Sequence, residues 1–349
     1  MTGSVEGLAR SGGVPGERVV APVSVGRIPD FFIVGHPKCG TTALYEMLRR
    51  HPQIYMPELK EPRFFAPDLR ARFLAGGALG PVAAGDEQAQ SLPQTREQYV
   101  QLFAPARPDQ VVGEASPSYL MSSNAPSAIA AAQPRARIVA LLREPVAFLR
   151  SLQLELVRNH VELERDFERA IANESIPAIG EGTPDYSPPI RRYSDRIRYV
   201  EQLRRFHEAF PAEQVLVLIY EDFRRDNAGT LRQVLAFLGV DPGVALEPSQ
   251  ANPTMDVRSV GLDRLVQAMY GGRGPLARGA RRTIRTLAPR RLRGRGFQAL
   301  RRRLLYAPPK APPEDFALRL RARFRPEVVA LSDYLGRDLV SEWGYGRVG

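Results

Sequence analysis

The chain has 349 residues, 44% of them hydrophobic and 25% charged, with a net charge of +11. That is an ordinary globular balance, with ample length for one large α/β domain or two small ones. A single cysteine excludes an internal disulfide and a cysteine-rich metal site. The four histidines lack zinc-ligand spacing, and no run of 18 apolar residues offers a membrane span. The N-terminus lacks the apolar core of a secretory signal, so a cytoplasmic protein is expected.

Residues 1–27 are rich in Gly, Val, Ser, Pro and Ala without periodicity and read as a disordered tail. Phe31-Phe32-Ile33-Val34 then reads as a short buried strand, followed by a Gly/Pro-punctuated loop. Thr41 to Arg50 reads as a helix, ended by His51-Pro52. Strand, tight loop and helix start together point backbone N–H groups and a positive dipole end at an anion. Gly35 and Gly40 have the spacing of the nucleotide triphosphatase loop, but Thr41 stands where that motif requires lysine. The loop's only lysine is Lys38, three positions earlier, and no clear magnesium-binding aspartate follows on a later strand. ATP or GTP hydrolysis is therefore not the expectation.

Pro37-Lys38-Cys39-Gly40-Thr41-Thr42 resembles the 5′-phosphosulfate-binding loop of sulfotransferases that use 3′-phosphoadenosine 5′-phosphosulfate (PAPS). The resemblance implies that Lys38, Cys39, Gly40, Thr41 and Thr42 hold the donor, with Lys38 also catalytic. His36, beside Lys38, is a candidate contact to sulfate or acceptor. Lys60-Glu61-Pro62-Arg63-Phe64-Phe65 is similar to the family's Lys/Asn-Glu-x-x-Phe-Phe, whose glutamate deprotonates the acceptor hydroxyl. Glu61 matches that glutamate, and the aromatic pair supplies an apolar wall expected to raise its pKa. From the residues alone, a surface turn leading into a packed Phe pair fits equally well.

Residues 66–100 read as a surface excursion, with a short helix from Glu97 to Phe103. Val111 and Val112 open a strand. Glu114-Ala115-Ser116-Pro117-Ser118-Tyr119 resembles the family's Glu-Lys-Thr/Ser-Pro-x-Tyr, with Ala115 in place of the lysine of the heparan-type branch. Ser116 is a candidate acceptor contact; a Pro-terminated strand end is the simpler reading. Ala136 to Leu142 reads as a central parallel strand, near-continuously apolar. Arg143-Glu144-Pro145 closes it, and a helix runs from Val146 to about His160. Arg143 and Ser151, eight residues apart, have the family's spacing for the 3′-phosphate of PAPS. A strand-end guanidinium and a hydroxyl on the next helix can converge on one phosphate. His160 is a candidate acceptor contact or alternative base; a helix C-terminal histidine facing the dipole is at least as apt.

A helix is expected from Arg191 through Phe210, a strand over Gln214–Asp222, and a helix from Thr230 to Leu238 ended by Gly239. Arg258 occupies the place where the family folds a loop over the 3′-phosphate. Residues 264–313 carry thirteen Arg and one Lys and no acid. This arginine-rich insertion suits a solvated surface segment, peripheral contact with an anionic membrane, or steering of an anionic acceptor. No base-reading motif accompanies the charge, so nucleic acid is not expected. Glu314 to Trp343 reads as a helix pair around Phe324-Arg325-Pro326.

The expected fold is α/β with a P-loop-like core: a central parallel β-sheet flanked by helices on both faces, in one domain over 28–349. The resemblance implies in-line transfer of a sulfuryl group from PAPS to an acceptor hydroxyl, on a carbohydrate, glycolipid or secondary metabolite, with no metal required. A P-loop kinase using Mg-ATP and an inactive membrane-surface binding protein are the alternatives.

Overall fold

Five consecutive buried residues, Phe31–Gly35, form strand β1 at the centre of the sheet. Both parities of its pleat are enclosed, so both faces of the sheet are covered, as a parallel sheet requires. In this computed structural model, the described residues are 27–69, 92–159, 162–175, 193–247, 256–257, 306–307 and 309–348.

Helix α1 (Thr41–Leu48) follows β1, then the short strand β2 (Ile54–Tyr55). Helix α2 (Arg96–Gln101) starts in a capping box built by Thr95 and Gln98. Strand β3 (Val111–Ala115), helix α3 (Ala125–Ala132), strand β4 (Arg137–Leu142) and helix α4 (Pro145–Arg158) come next. Helices α5 (Phe167–Ala172) and α6 (Tyr199–Ala209) precede strand β5 (Val215–Ile219). Helices α7 (Tyr220–Arg225) and α8 (Asn227–Leu238) follow directly. A two-residue antiparallel pair joins β6 (Asp256–Val257) to β7 (Tyr306–Ala307). Helices α9 (Glu314–Leu335) and α10 (Leu339–Glu342) close the fold.

The five-stranded sheet has the order β2-β3-β1-β4-β5, with every pairing parallel. Chain order departs from β1 in both directions, so the carboxyl end of β1 opens at a switch point, where such sheets bind ligands. Three expected elements differ. The helix expected from Arg191 begins only at Tyr199, after a separate 3-10 turn over Ser194–Ile197. Residues 220–222 are not strand: the chain turns into α7 at Tyr220, and Phe223 buries itself beneath the loop after β1. The C-terminal pair is instead one 22-residue helix running through Pro326. An interior proline costs about 3 kcal/mol. Burial of Phe316, Leu320, Phe324, Val328 and Leu331 along one stripe outweighs it, at about 1.5–3 kcal/mol per large side chain. The tail expected over 1–27 and nearly all of the arginine-rich segment lie outside the described residues.

Candidate active site

The loop after β1 is shaped by two glycines and one strained lysine. Gly35 has φ 144, and a Cβ there would meet the Leu141 carbonyl oxygen of β4 at 2.5 Å. Gly40 has φ 89 and packs against the rings of Tyr220 and Phe223, so a Cβ would lie 3.0 Å from the latter. Lys38 itself has φ 68, a left-handed conformation that costs a non-glycine residue of order 1–3 kcal/mol. Gly40 is the N-cap of α1 and supplies no side-chain cap, and the first turn of α1 holds no acid. The opening N–H groups of a helix lack intrahelical partners, which leaves a positive end facing the loop. Thr41 is buried and Thr42 half-buried.

Cys39 is fully buried beneath the loop, where burial pushes its thiol up to about 12. Its backbone N–H donates to the His36 carbonyl at 3.3 Å, so Cys39 shapes the loop rather than presenting a side chain. His36 is enclosed as well, between the rings of Phe148 and Tyr199, with Nε2 2.9 Å from Gln202 Oε1. Burial and the nearby Arg196 cation hold its imidazole down at about 3, leaving it neutral. The expected contact from His36 to sulfate or acceptor is therefore corrected: its side chain is part of the core.

Arg143 leaves the end of β4 and donates from Nη1 to the Lys38 carbonyl at 2.8 Å. Its guanidinium lies over the Tyr220 ring, 4.5 Å from the centroid. Its Nε is buried without a hydrogen-bond partner among the described residues. Glu144 caps α4 by accepting from the backbone N–H groups of Val146 and Ala147 at 3.1 and 2.6 Å. Tyr345 donates to the same carboxylate at 2.7 Å, tying the C-terminus to this corner. Ser151 is buried on α4. Arg258 and His160 lie outside the described residues, although Asp256–Val257, just before Arg258, pack on α4.

Glu61 stands at the carboxyl end of β3, where its backbone N–H donates to the Ala115 carbonyl at 3.0 Å. It has φ 61 and Arg63 has φ 52; with Lys38 these are the positive-φ non-glycine residues among those described. All three sit in the segments the motifs pointed to, as strain held at functional sites does. The Glu61 carboxylate is clamped between Lys60 and Arg63, each at 2.6 Å. Burial alone would raise its pKa, but the two cations outweigh burial and hold it at about 2. The expected upward shift is thus reversed, because sequence adjacency brings two cations that pattern reading treated as bystanders. Ser116 is fully buried and its Oγ accepts from the Arg63 backbone N–H at 3.1 Å. The expected acceptor contact from Ser116 is corrected: it fixes the turn that carries Glu61.

A profile of the Sulfotransferase family matches residues 29–242, more than half of the chain and both motif regions. The chain belongs to the sulfotransferase family. Its similarity to human carbohydrate sulfotransferase 15 is 28% identity, covering 62% of this chain and 44% of that protein. A mouse bifunctional heparan sulfate N-deacetylase/N-sulfotransferase 4 is 27% identical over 62% of this chain and 23% of its own length. The chain thus spans less than half the length of these curated relatives. The crystal structure of a sulfotransferase from Alicyclobacillus acidocaldarius superposes with a TM-score of 0.60 at 27% identity, covering 91% of this chain and 99% of that one.

Two carboxylates of this family member escaped sequence reading. Glu114, fully buried on β3, accepts from the Tyr99 and Tyr119 hydroxyls at 2.5 and 3.1 Å. Burial pushes it up to about 7, against those hydrogen bonds and with the Glu61 charge adding to the rise. Phe64, stacked on Tyr99 at 4.5 Å, and Phe65, edge-on to it, pack around the Tyr99 ring. Its signal was an acid inside an otherwise apolar strand. Glu155, on α4, lies 3.3 Å from Lys38 Nζ, and nothing in the motifs marked it. Among the described residues there is no group of three or more His, Cys, Asp or Glu side chains placed to hold a metal ion. No described helix is long and apolar enough to cross a membrane.

Proposed function

We propose that this protein transfers a sulfuryl group from PAPS to a hydroxyl of a carbohydrate acceptor. The observation that carries the reading is the loop after β1: a strained, buried lysine at an uncapped helix start, its carbonyl latched by Arg143. The residues fit a nucleotide carrying anionic groups at both ends. The 5′-phosphosulfate lies along Lys38, Gly40, Thr41 and Thr42, where backbone N–H groups and one cation stabilise charge. The 3′-phosphate goes to Arg143, whose buried Nε is an unused donor, with Ser151 and Arg258 as further contacts. Ser151 is buried, so its hydroxyl reaches a phosphate only as neighbouring side chains part.

In the reaction, the acceptor oxygen attacks sulfur in line, its proton passes to Glu61, and the bond from sulfur to the 5′-phosphate oxygen breaks. The leaving group is 3′-phosphoadenosine 5′-phosphate (PAP), its new charge met by Lys38. Glu61 is ionised and so ready to accept a proton, but the acceptor must first separate it from Lys60 or Arg63. The carbohydrate assignment rests on the names of the similar sulfotransferases and on the same chemistry being asked of Glu61. We read residues 264–313 as an insertion in this domain, a reading supported by the pairing of β6 with β7, which sets residues 256–257 beside 306–307.

The deciding experiment is calorimetric titration with PAP beside ATP and magnesium. Tight, metal-independent binding of PAP, lost in Arg143→Ala, is expected. Preference for magnesium-ATP overturns the reading in favour of a kinase, against which Thr41 already stands where a kinase loop carries lysine.

A further inference from the structure

Lys38 faces a carboxylate across the loop. Its side chain is 6% exposed, and its Nζ lies 3.3 Å from Glu155 Oε2. The pair joins the loop after β1 to α4 across more than a hundred residues of sequence. Glu155 lies four residues beyond Ser151, on the same helical face and one turn further along. The carboxylate keeps 26% exposure, so water reaches it while the lysine stays enclosed.

We propose that Glu155 is the resident counter-ion of Lys38, and that the donor's 5′-phosphosulfate displaces it on binding. This rests on the sulfotransferase reading above. A buried ammonium without a partner is costly and tends to lose its proton. Burial lowers the Lys38 pKa, Arg158 and Arg143 push the same way, and Glu155 opposes them. Arg143 stands at the end of β4 and Glu155 and Arg158 on α4, while α7 packs the Tyr220 and Phe223 rings against the loop at Gly40. Glu155 therefore holds Lys38 charged and in place while the site waits. When a polyanionic donor arrives it takes over that duty, and the released carboxylate turns to water. The exchange lowers donor affinity by the strength of the pair and keeps the lysine ready in the interval.

The test is titration of PAP, which presents its 5′-phosphate to Lys38, into the wild-type protein, Glu155→Gln, Lys38→Met and the double variant. Glu155→Gln is expected to tighten PAP binding about three- to tenfold, the effect of removing a partly buried competitor. In the Lys38→Met background the same change is expected to do nothing. The pH profile moves as well: affinity in Glu155→Gln falls off at lower pH than in wild type, because Lys38 loses a carboxylate that favours its charged form. Glu155→Asp, which retains the charge, is expected to keep the wild-type pH profile. An equal gain in both Lys38 backgrounds would show only general repulsion of the donor and overturn the proposal. So would unchanged affinity in Glu155→Gln with an unshifted profile. Failure of every variant, wild type included, to bind PAP removes the donor assignment itself and this inference with it.

Discussion

Glu61 is ionised throughout the ordinary pH range because two cations at 2.6 Å outweigh its burial. In the proposed role of base, a carboxylate held at about 2 imposes no acid limb on the rate above pH 4. Replacing Lys60 and Arg63 together with Met leaves burial unopposed, so the carboxyl rises past its ordinary value and an acid limb enters the kcat/KM profile above pH 4.5. Glu61→Gln is expected to lower kcat by about 10²- to 10⁴-fold, the usual weight of a general base. A double Met variant with a flat profile would strip Glu61 of that role. Glu114 behaves in the opposite sense. Its folded value, about 7, stands above the ordinary 4.5, so between those values the folded protein holds a proton that the unfolded chain has released. The stability it contributes is full below about pH 4.5 and lost as pH rises through 7, a change on the order of 3 kcal/mol. Thermal melts of wild type should therefore fall between pH 5 and 7.5. Glu114→Gln, which still accepts from the Tyr99 hydroxyl, should flatten that slope.

At the scale of elements, the strand–loop–helix unit was legible because its constraints are local: an apolar run, glycines at fixed spacing, a helical stripe. The same holds for β4 and its Arg143-Glu144-Pro145 end, whose cap the structure shows in Glu144. What pattern could not supply was partnership between distant segments. Nothing near Lys38 in sequence announces Glu155, and nothing near Ser116 announces that its hydroxyl is spent on Arg63. His36 looked available because it adjoins the loop, yet tertiary packing turned it inward onto Phe148 and Gln202. Pro326 misled for the converse reason. A local breaker signal was overridden by a buried stripe on either side of it. Pro326 is itself exposed, so replacing it with alanine removes no burial and restores a backbone donor inside α9. Pro326→Ala is expected to stabilise the fold by about 1–3 kcal/mol, less a fraction for the freer unfolded chain, and to raise Tm by a few degrees. A lowered Tm would mean that the proline serves the packing of α9 on α4 and α6.

For the molecule as a whole, charge sets the arginine-rich segment apart from the rest of the sequence. Residues 264–313 carry +14 against +11 for the whole chain, so the remainder is slightly acidic, and the loop, Arg143 and Glu61 belong to the part matched by the family profile over 29–242. The buried stripe of α9 packs on α4 and α6. Strands β6 and β7 pair with each other, Val257 opposite Tyr306, and β6 packs on α4. A segment whose ends already meet contributes mostly loop-closure entropy, which grows only slowly with length. Deleting residues 264–303 leaves Arg258 and both paired strands in place. The shortened protein is expected to melt within a few degrees of wild type and to bind PAP with unchanged affinity at moderate salt. Co-sedimentation with anionic vesicles then reads the insertion's own part: binding by the full chain that vanishes on deletion makes it a membrane-docking device. Equal recovery in the supernatant for both proteins makes it a solvated excursion. A deletion that unfolds the protein would show instead that the segment belongs to the core, and the one-domain body would have to be redrawn around it.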